Sequence, residues 1–517
     1  MLIKMKKILY ASVLSLALGM SSCSKEFLET SPTDKVDAGT LLETTQGAQV
    51  AMDGIYRMLY TSGWSVSNTS QNFGITSTKM FTSLMGEDFL QDGQGSGWFY
   101  FDYKYDVRSR FASTGWRSYA TWNFYYTLIS NANYILAAEK TLTGDPKTVD
   151  NIMAQAYAMR AYAYFQLIQI FQQTYVGHQT SPGVPVYTEP TTAASQGKGR
   201  GTVEDVYAQI NQDLDKSIDL FGKDKALQTH ISHLDYYVAN AIKANVALVQ
   251  NKWADAEKYS TEALSKSSLA MLSGDDIYGG FNSVKLKDVL WGAEIIASQS
   301  TIWASFFSHM DASAGQYAES SRKCIYNWLY DQIPNTDARK KWWNGATDGG
   351  TPQTKPYNQV KFRYSDKTSS LGDYIFMRSE ELQLVKAEAL ANQGKLPQAK
   401  TALADLMKLR NPAGYQAILD QATMSKDLTM GSIGTPKTLM DQIILQRRIE
   451  LWGETERIFD ILRLKTGFDR TATGSNHTFK PTWNSLDPAN KEFILTIPQK
   501  EFDGNTAMDA NKDQNPL

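Results

Sequence analysis

The sequence predicts a mainly α-helical fold with tetratricopeptide-like helix hairpins, long loops and a few short strands. Two observations point to this class. Long segments of helix-favouring composition lack internal glycine and proline, the clearest being 149–171. Two further segments, 235–264 and 378–407, align with each other without a gap. The predicted architecture is therefore a helical frame that carries loops.

Two long helices are expected in the first half of the chain. Residues 149–171 are rich in Ala, Met, Gln and Leu, and the chain is then broken by 183–186 and by the glycine-rich stretch 197–201. Thr202 and Asp205 follow at the positions of a capping box. Apolar residues then recur at helical spacing, at Val203, Val206, Ile210, Leu214, Ile218 and Phe221. This pattern predicts an amphipathic helix that begins after Thr202.

An internal repeat relates 235–264 to 378–407. In both copies small residues occupy the positions where two antiparallel helices would touch, namely Ala244 and Ala387, and Ala256 and Ala399. Tetratricopeptide repeats have the same arrangement, in which each helix hairpin buries one face on its neighbours. The repeat therefore predicts a helical superhelix.

A third long helix is expected over 438–464, and it carries a run of charged residues. These are Arg447, Arg448, Glu450, Glu454 and Arg457. Such a run could form an active-site cluster, or it could supply the ion pairs of a packed helix. The second interpretation is favoured.

Strand signals are limited to two short segments. Residues 360–364 alternate apolar and basic, and residues 493–497 stop at Pro498, so both are predicted to be edge or loop-flanking strands. The stretches 64–126 and 273–374 are rich in aromatic residues, Gly, Ser, Asn and Asp. They are predicted to be long loops, which carry function more often than they merely connect.

The N-terminus has the features of a lipoprotein signal. Three lysines at positions 4, 6 and 7 precede 13 apolar residues, Ile8 to Met20, a length typical of a signal peptide and too short to span a bilayer. Met20-Ser-Ser-Cys23 resembles the bacterial lipobox. Residues 1–22 are thus predicted to be removed and Cys23 to carry acyl chains such as palmitate, which anchor a protein to a membrane. A secretory signal cut elsewhere, with Cys23 as a free thiol, is the alternative.

Composition excludes several classes of function. The chain is 42% hydrophobic and 21% charged, with a formal net charge of −2, so it has no overall positive field to attract nucleic acid. Nucleic acid is therefore not an expected partner. Its two cysteines are Cys23 and Cys324. With Cys23 lipidated, Cys324 has no partner and no intramolecular disulfide is expected.

A series of motifs follows in order along some 490 residues. They are Cys23 with Lys25-Glu-Phe-Leu-Glu29, Arg160 to Phe171 with Gly183-Val-Pro-Val186, Arg200 to Leu214, Asp337-Ala-Arg339, Glu380 to Glu388, Arg447 to Arg463, Ile497-Pro498 and Gln514-Asn-Pro516. Together they resemble the SusD/RagB family of outer-membrane lipoproteins of Bacteroidetes. One departure is Arg447, which stands where glutamate is commoner in that family.

The resemblance implies a SusD-like helical superhelix formed by one domain, residues 23–517, with an N-terminal part of about 23–330 and a C-terminal RagB/SusD part of about 331–517. It implies a lipoprotein that binds glycan or another nutrient and sits as a lid on a SusC-like TonB-dependent transporter. Acidic residues just after Cys23 resemble the signal for display on the outer surface of the outer membrane. Starch, fructan, host glycans and peptides are all compatible ligands.

Sugar recognition requires flat apolar rings beside groups that hydrogen-bond hydroxyls. The glycine-rich turn 92–97 leads into Trp98 and could expose it. A second aromatic set comprises Trp303, Phe306, Phe307, Tyr317, Trp328, Trp342 and Trp343. The predicted substrate-binding residues are Trp98, Tyr100, Trp303 and Tyr317; burial or contact with the transporter is the alternative role. Trp122, Tyr126 and Trp253 are assigned to the core.

The sequence contains none of the signatures H-E-x-x-H, G-x-x-x-x-G-K-[ST], G-x-S-x-G or an EF-hand loop. His230 and His233 lie three apart, but no metal site or cofactor is expected there. A carboxylate pair of a glycosidase depends on three-dimensional separation and cannot be judged by counting. The expected function is non-catalytic glycan binding; the alternatives are a surface glycoside hydrolase and a helical protein-interaction scaffold that binds no glycan.

Overall fold

The computed structural model describes residues 41–516 except 63–68, 107–114, 193, 226, 228–229 and 348. The predicted signal peptide and Cys23 lie outside the described residues. The helices in the described part are α1 Thr45–Met58, α2 Ile75–Leu84, α3 Tyr100–Tyr103, α4 Trp116–Ala137, α5 Pro146–Phe171, α6 Val203–Gly222, α7 Tyr236–Val249, α8 Trp253–Leu264, α9 Phe306–Met310, α10 Tyr317–Ser320, α11 Asn327–Asp331, α12 Ser379–Asn392, α13 Leu396–Arg410, α14 Tyr415–Gln421, α15 Leu439–Glu450, α16 Arg457–Leu464, α17 Gln499–Gly504 and α18 Ala510–Asp513. The fold is mainly α-helical, as predicted.

The strands in the described residues are short and form two separate antiparallel pairs. They are β1 Phe89–Gln91, β2 Val289–Ala293, β3 Lys323–Ile325 and β4 Tyr374–Arg378. Strand β1 pairs with β3, and β2 pairs with β4. Each pair joins segments that are far apart in the chain.

The two predicted hairpins are confirmed as α7–α8 and α12–α13. Helix α8 packs against α12, so the hairpins stack on each other. Their interface is made mainly of small residues: Ala244, Ala247, Leu248, Ala256, Val385 and Ala389. Small side chains let the backbones approach closely, which is why the repeat was recognisable in the sequence.

The two long helices of the first half are also confirmed. Helix α5 begins earlier than predicted, because Asp145 caps it and Pro146 occupies its first turn. The capping box of Thr202 and Asp205 is present at the start of α6. The two helices pack on each other around a buried ion pair, in which Arg160 lies 2.6 Å from Asp213.

The prediction of one helix over 438–464 is wrong. The segment forms α15 and α16, with a turn between them in which Gly453 has a φ of +76°. A Cβ atom at Gly453 would lie 2.8 Å from the ring of Phe362. The chain therefore turns at Gly453, where a side chain would meet both backbone strain and a buried ring.

The two predicted strands are also absent from the described residues. Polar groups of both segments form hydrogen bonds to other parts of the chain and not to a neighbouring strand. In 360–364, Lys361 is buried and donates to the Glu450 and Trp452 carbonyls. In 493–497, the Leu495 N–H donates to the Ile170 carbonyl at the end of α5. Both segments are extended chain held by contacts that differ from a strand ladder.

The stretches predicted as long loops are more structured than expected. Residues 64–126 contain α2, β1, α3 and the start of α4, and 273–374 contains β2, α9, α10, β3 and α11. Most of these elements are too short for periodicity to reveal them. Within the residues that the structure describes, no helix has the length and apolar character needed to cross a membrane.

A buried ionic network joins these elements at Glu450, the last residue of α15. Arg410 from the end of α13 binds its carboxylate with Nη2 2.9 Å from Oε1. Arg378 and Arg339 approach the same carboxylate at 3.4 and 3.3 Å. Burial opposes ionisation, but these three guanidinium groups hold the pKa of Glu450 well below its usual range. Glu450 thus holds three distant segments together.

We predict that Glu450→Gln lowers the free energy of unfolding by about 3–5 kcal/mol, because it leaves three buried guanidinium groups without their shared charge. Chemical denaturation of the purified protein measures this change. Asp405→Asn serves as the control, since the Asp405–Lys408 pair is exposed and its loss should cost less than about 0.5 kcal/mol. Equal effects of the two substitutions would contradict a central role for Glu450.

Candidate ligand-binding site

The β1–β3 pair brings two distant loops together. Phe89 is opposite Ile325, and Gln91 is opposite Lys323. The pairing continues one residue further, where the Asp92 N–H donates to the Arg322 carbonyl at 3.2 Å and Arg322 Nε lies 2.7 Å from Asp92 Oδ2. The loop after β1 and the loop before β3 therefore leave the sheet side by side.

These loops and the segment before α9 carry three aromatic residues whose rings lie in a row and are inclined to one another by 38° and 50°. The ring centroids of Trp98 and Tyr317 are 4.0 Å apart, and those of Tyr317 and Trp303 are 5.1 Å apart. Trp98 and Tyr317 are half-buried, whereas Trp303 is 48% exposed. We call Trp98, Tyr317 and Trp303 the aromatic platform. Three of the four predicted binding residues thus lie together.

A buried histidine supports the platform. The His309 ring lies 4.8 Å from the Tyr317 ring, and its Nε2 donates to the Ser70 carbonyl at 2.6 Å. Burial, reinforced by the nearby charge of Lys323, holds the pKa of His309 well below its usual range. His309 is therefore a neutral ring beneath Tyr317.

The backbone beside both tryptophans has an uncommon conformation. Phe99 has a φ of +55° and Ile302 a φ of +51°, values that non-glycine residues rarely adopt. The Phe99 N–H donates to Gln71 Oε1 at 2.6 Å, and Ser305 Oγ donates to the Ile302 carbonyl at 2.9 Å. Such conformations persist where surrounding contacts enforce them, and they cluster at binding sites.

The glycine-rich turn before Trp98 is needed for close packing. Gly97 has a φ of +96°, and a Cβ atom there would lie 2.6 Å from the Phe101 ring. At Gly95 a Cβ atom would lie 3.0 Å from the Trp98 ring. A side chain at Gly97 would therefore clash with Phe101, and one at Gly95 would crowd Trp98, while the positive φ of both residues favours glycine.

Polar groups accompany the platform. Gln316, next to Tyr317, accepts a hydrogen bond from the Tyr364 hydroxyl at 2.7 Å and donates to Ser370 Oγ at 3.0 Å. In the Asp92–Arg322 pair, Asp92 Oδ1 has no hydrogen-bond partner among the described residues. An amide, a carboxylate and a guanidinium thus lie in the loops that carry flat apolar rings. This combination suits the apolar faces and hydroxyl edges of a sugar ring.

The other predicted aromatic residues lie outside the platform. The ring of Tyr100 contacts Phe101 and Tyr103, at centroid distances of 6.4 and 6.1 Å. The buried members of the second set are Phe306, Phe307, Trp342 and Trp343. Trp328 is half-buried, with the Arg448 guanidinium 4.8 Å from its ring.

The charged run of α15 and α16 forms structural ion pairs, as favoured from the sequence. Arg448 lies 2.6 Å from Asp88, and Arg457 lies 2.8 Å from Glu87. Arg447 lies 2.9 Å from Asp460. All six side chains are buried, so this cluster belongs to the core.

The histidine pair is engaged by separate partners. His233 stacks on Tyr56 with centroids 4.7 Å apart and lies 3.1 Å from Asp53, while His230 lies 3.6 Å from Glu294. Across the part of the chain that the structure describes, no group of three or more His, Cys, Asp or Glu residues is arranged to hold a metal ion. Cys324 is a buried free thiol.

A cavity of about 590 Å³ beside α4 is not predicted from the sequence. Trp122 and Tyr126, which the sequence predicts to be core residues, line this cavity. Trp122 is buried, but Tyr126 is only half-buried. Aromatic and polar residues alternate along one face of α4 at helical spacing, and this pattern could have revealed the cavity.

The chain thus combines a frame of stacked helix hairpins with long loops that carry the aromatic platform. A family model described as "Starch-binding associating with outer membrane" matches residues 26–248, and one described as "SusD family" matches residues 293–517. The chain belongs to the SusD/RagB family.

Individual relatives are distant in sequence. SusD-like protein P2 of Formosa agariphila is 23% identical over 433 residues, which cover 76% of this chain and 79% of that protein. The structure of a SusD-like carbohydrate binding protein from Bacteroides vulgatus has a TM-score of 0.77 at 24% identity, covering 92% and 98% of the two chains. Surface glycan-binding protein A from Bacteroides thetaiotaomicron has a TM-score of 0.66 at 15% identity, covering 92% and 100%. These structures share the fold of this chain.

A pH-dependent prediction concerns Lys323 on β3, behind the platform. It is fully buried and donates to the Ser321 carbonyl at 2.9 Å, and burial lowers its pKa to about 7. Because an unfolded lysine titrates near about 10.4, the unfolded state binds more protons between about pH 7 and 10. The contribution of Lys323 to folding stability therefore rises with pH in this window.

We predict that the free energy of unfolding of the wild type rises from pH 7 to pH 9 relative to that of Lys323→Met. Urea denaturation of both proteins at the two pH values measures the difference. Lys361, whose pKa burial lowers to about 8, is present in both proteins, so its contribution cancels. Parallel pH profiles would contradict the assignment to Lys323.

Proposed function

We propose that this protein is a non-catalytic, surface-exposed lipoprotein that binds glycan and delivers it to a SusC-like TonB-dependent transporter in the outer membrane. The observation that carries this proposal is the aromatic platform of Trp98, Tyr317 and Trp303. Membership of the SusD/RagB family and the fold shared with a surface glycan-binding protein support the carbohydrate-binding role.

Binding at the platform proceeds by stacking and hydrogen bonding. The apolar C–H faces of successive sugar rings stack on Trp98, Tyr317 and Trp303, which spreads the contact over an extended surface. Gln316 and the Asp92–Arg322 pair supply hydrogen bonds to hydroxyl groups. A surface that holds sugar by stacking releases it readily, which suits capture followed by transfer.

A binding role without catalysis fits the environment of Asp92 near the platform and of two carboxylates in the core. Asp92 is paired with Arg322, and Glu450 on α15 and Asp460 on α16 are buried in ion pairs away from solvent. A glycosidase needs two carboxyl groups flanking a sugar, one of them able to donate a proton. The alternatives remain a surface glycoside hydrolase and a protein-interaction scaffold, which the experiments below separate.

The proposed mature protein is one domain of residues 23–517 anchored through acyl chains on Cys23. The ion pairs from α15 and α16 to Glu87 and Asp88 support one domain, because they join the N-terminal and C-terminal parts. The helix hairpins would face the transporter, and the loops that carry the platform would hold the ligand.

We predict that Trp98→Ala and Trp303→Ala each weaken glycan binding by roughly tenfold, since a lost ring stack costs about 1.4 kcal/mol. Affinity electrophoresis in a panel of polysaccharides identifies the glycan, and calorimetry gives the affinities. Tyr415→Ala is the matched control, because this half-buried aromatic residue is carried by α14 and not by the platform loops.

Two outcomes would contradict the proposal. If the wild type bound no member of the panel, or if both tryptophan variants bound as tightly as the wild type, the platform would not be the glycan site. Release of reducing ends from a polysaccharide by the purified protein would favour the hydrolase, and binding of a protein partner without any glycan would favour the scaffold.

We predict that Cys23→Ala yields a folded protein that leaves the membrane fraction, because the acyl chains that hold the protein on the bilayer are absent. Cell fractionation in a strain without the transporter partner measures this, and metabolic labelling with a palmitate analogue reports acylation. Cys324→Ala, which alters the buried thiol, should retain membrane association. A Cys23→Ala protein that stayed in the membrane fraction would contradict lipidation at this position.

A further inference from the structure

The cavity beside α4 shares no residue with the aromatic platform. Its walls are one face of α4, residues 187–191 and 195–198, and α17. Its volume of about 590 Å³ lies within the range of about 300–1,000 Å³ that is typical of small-molecule sites. The cavity is therefore large enough to accept a ligand.

Aromatic rings in fixed orientations line the cavity. The Tyr126 ring lies 4.8 Å from that of Trp122 and 6.0 Å from that of Tyr187. The polar atoms of these rings are already engaged, since Tyr126 donates to the Pro185 carbonyl at 2.7 Å and Trp122 Nε1 donates to Glu501 at 3.0 Å. Tyr126 and Tyr187 are half-buried and so present preorganised apolar surfaces.

Two polar side chains lie on the same helix face as Tyr126. They are Asn123 and Ser130, three residues before it and four after it. Both line the cavity, and neither side chain makes a hydrogen bond to any described residue. The amide and the hydroxyl each both donate and accept, so together they match the hydroxyl groups of a ligand.

The charges of the lining cancel. Lys198 and Lys500 are balanced by Glu189 and Glu501. The Lys500 ammonium lies 4.1 Å from the centre of the Tyr119 ring. Both carboxylate oxygens of Glu501 are engaged, one by Trp122 and the other by Asn505. A lining without net charge, with free groups that both donate and accept, favours a neutral hydroxyl-rich ligand over an ion.

We propose that this cavity is a second carbohydrate-binding site, which accepts one or two neutral sugar residues on Tyr126 and Tyr187 and hydrogen-bonds them through Asn123 and Ser130. The proposal rests on the proposed glycan-binding function and extends it to a second site with its own selectivity. The platform and the cavity beside α4 would bind a polymer and a short oligosaccharide separately.

The test uses a Trp98→Ala/Trp303→Ala double variant, which removes the platform and leaves the cavity intact. Saturation-transfer NMR measures the binding of maltose, cellobiose, xylobiose and mannobiose at millimolar concentration. The double variant should retain a signal with at least one disaccharide. Adding Asn123→Ala should weaken that binding by about fivefold or more, and adding Ser130→Phe, which fills the cavity, should abolish it.

Asn131→Ala is the matched control, because this residue is on α4 but does not line the cavity. It should leave the signal unchanged, and thermal unfolding checks that every variant is folded. Loss of all signal in the double variant, or a signal that ignores Asn123→Ala and Ser130→Phe, would overturn the second site. Binding of the wild type to the polysaccharide panel is measured separately, so failure of the second site is distinguishable from failure of the platform.

Discussion

The buried arginine–carboxylate network at the end of α15 is the interaction on which the rest of the structure depends. Glu450 gathers Arg378 from the end of β4 and Arg410 from the end of α13. Two residues earlier, Arg448 binds Asp88, immediately before β1. Isolated buried charges are very unfavourable, so this arrangement is stable only when all of these segments are in place. Strand β1 can therefore take its place only when the C-terminal helices have packed.

The position of β1 in turn determines the platform. Strand β1 has only three residues, and its partner β3 lies more than 230 residues away in the chain, so the pair gains little from local interactions alone. The ion pairs at Glu87 and Asp88 fix the start of β1, and the Asp92–Arg322 pair fixes the opposite end. Because ion pairs fix both ends of β1, the β1–β3 pair also fixes the positions of the loops that carry Trp98 and Tyr317.

Elements that are defined by neighbouring residues could be predicted from the sequence, whereas elements that depend on distant residues could not. The capping box at Thr202 and the stacked hairpins were predictable because neighbouring residues define them. The strands were not, since β1 and β3 are three residues long and Lys361 is drawn into the ionic network by distant carboxylates. The sequence predicts Trp98, Tyr317 and Trp303 separately, as aromatic residues in long loops; only the fold shows that their rings lie side by side and that Tyr100 lies apart from them.

The left-handed residues beside the platform have an energetic role of their own in the proposed binding. Phe99 and Ile302 occupy a conformation that costs of order 1–3 kcal/mol each, and the cost is met during folding rather than on ligand binding. Because Trp98 and Trp303 are already oriented by these residues, an arriving glycan would lose little affinity to ordering of the loops. The proposed platform is thus a surface whose geometry is supported by a core of buried charges, and ring contacts together with hydrogen bonds from the neighbouring loops would set its affinity.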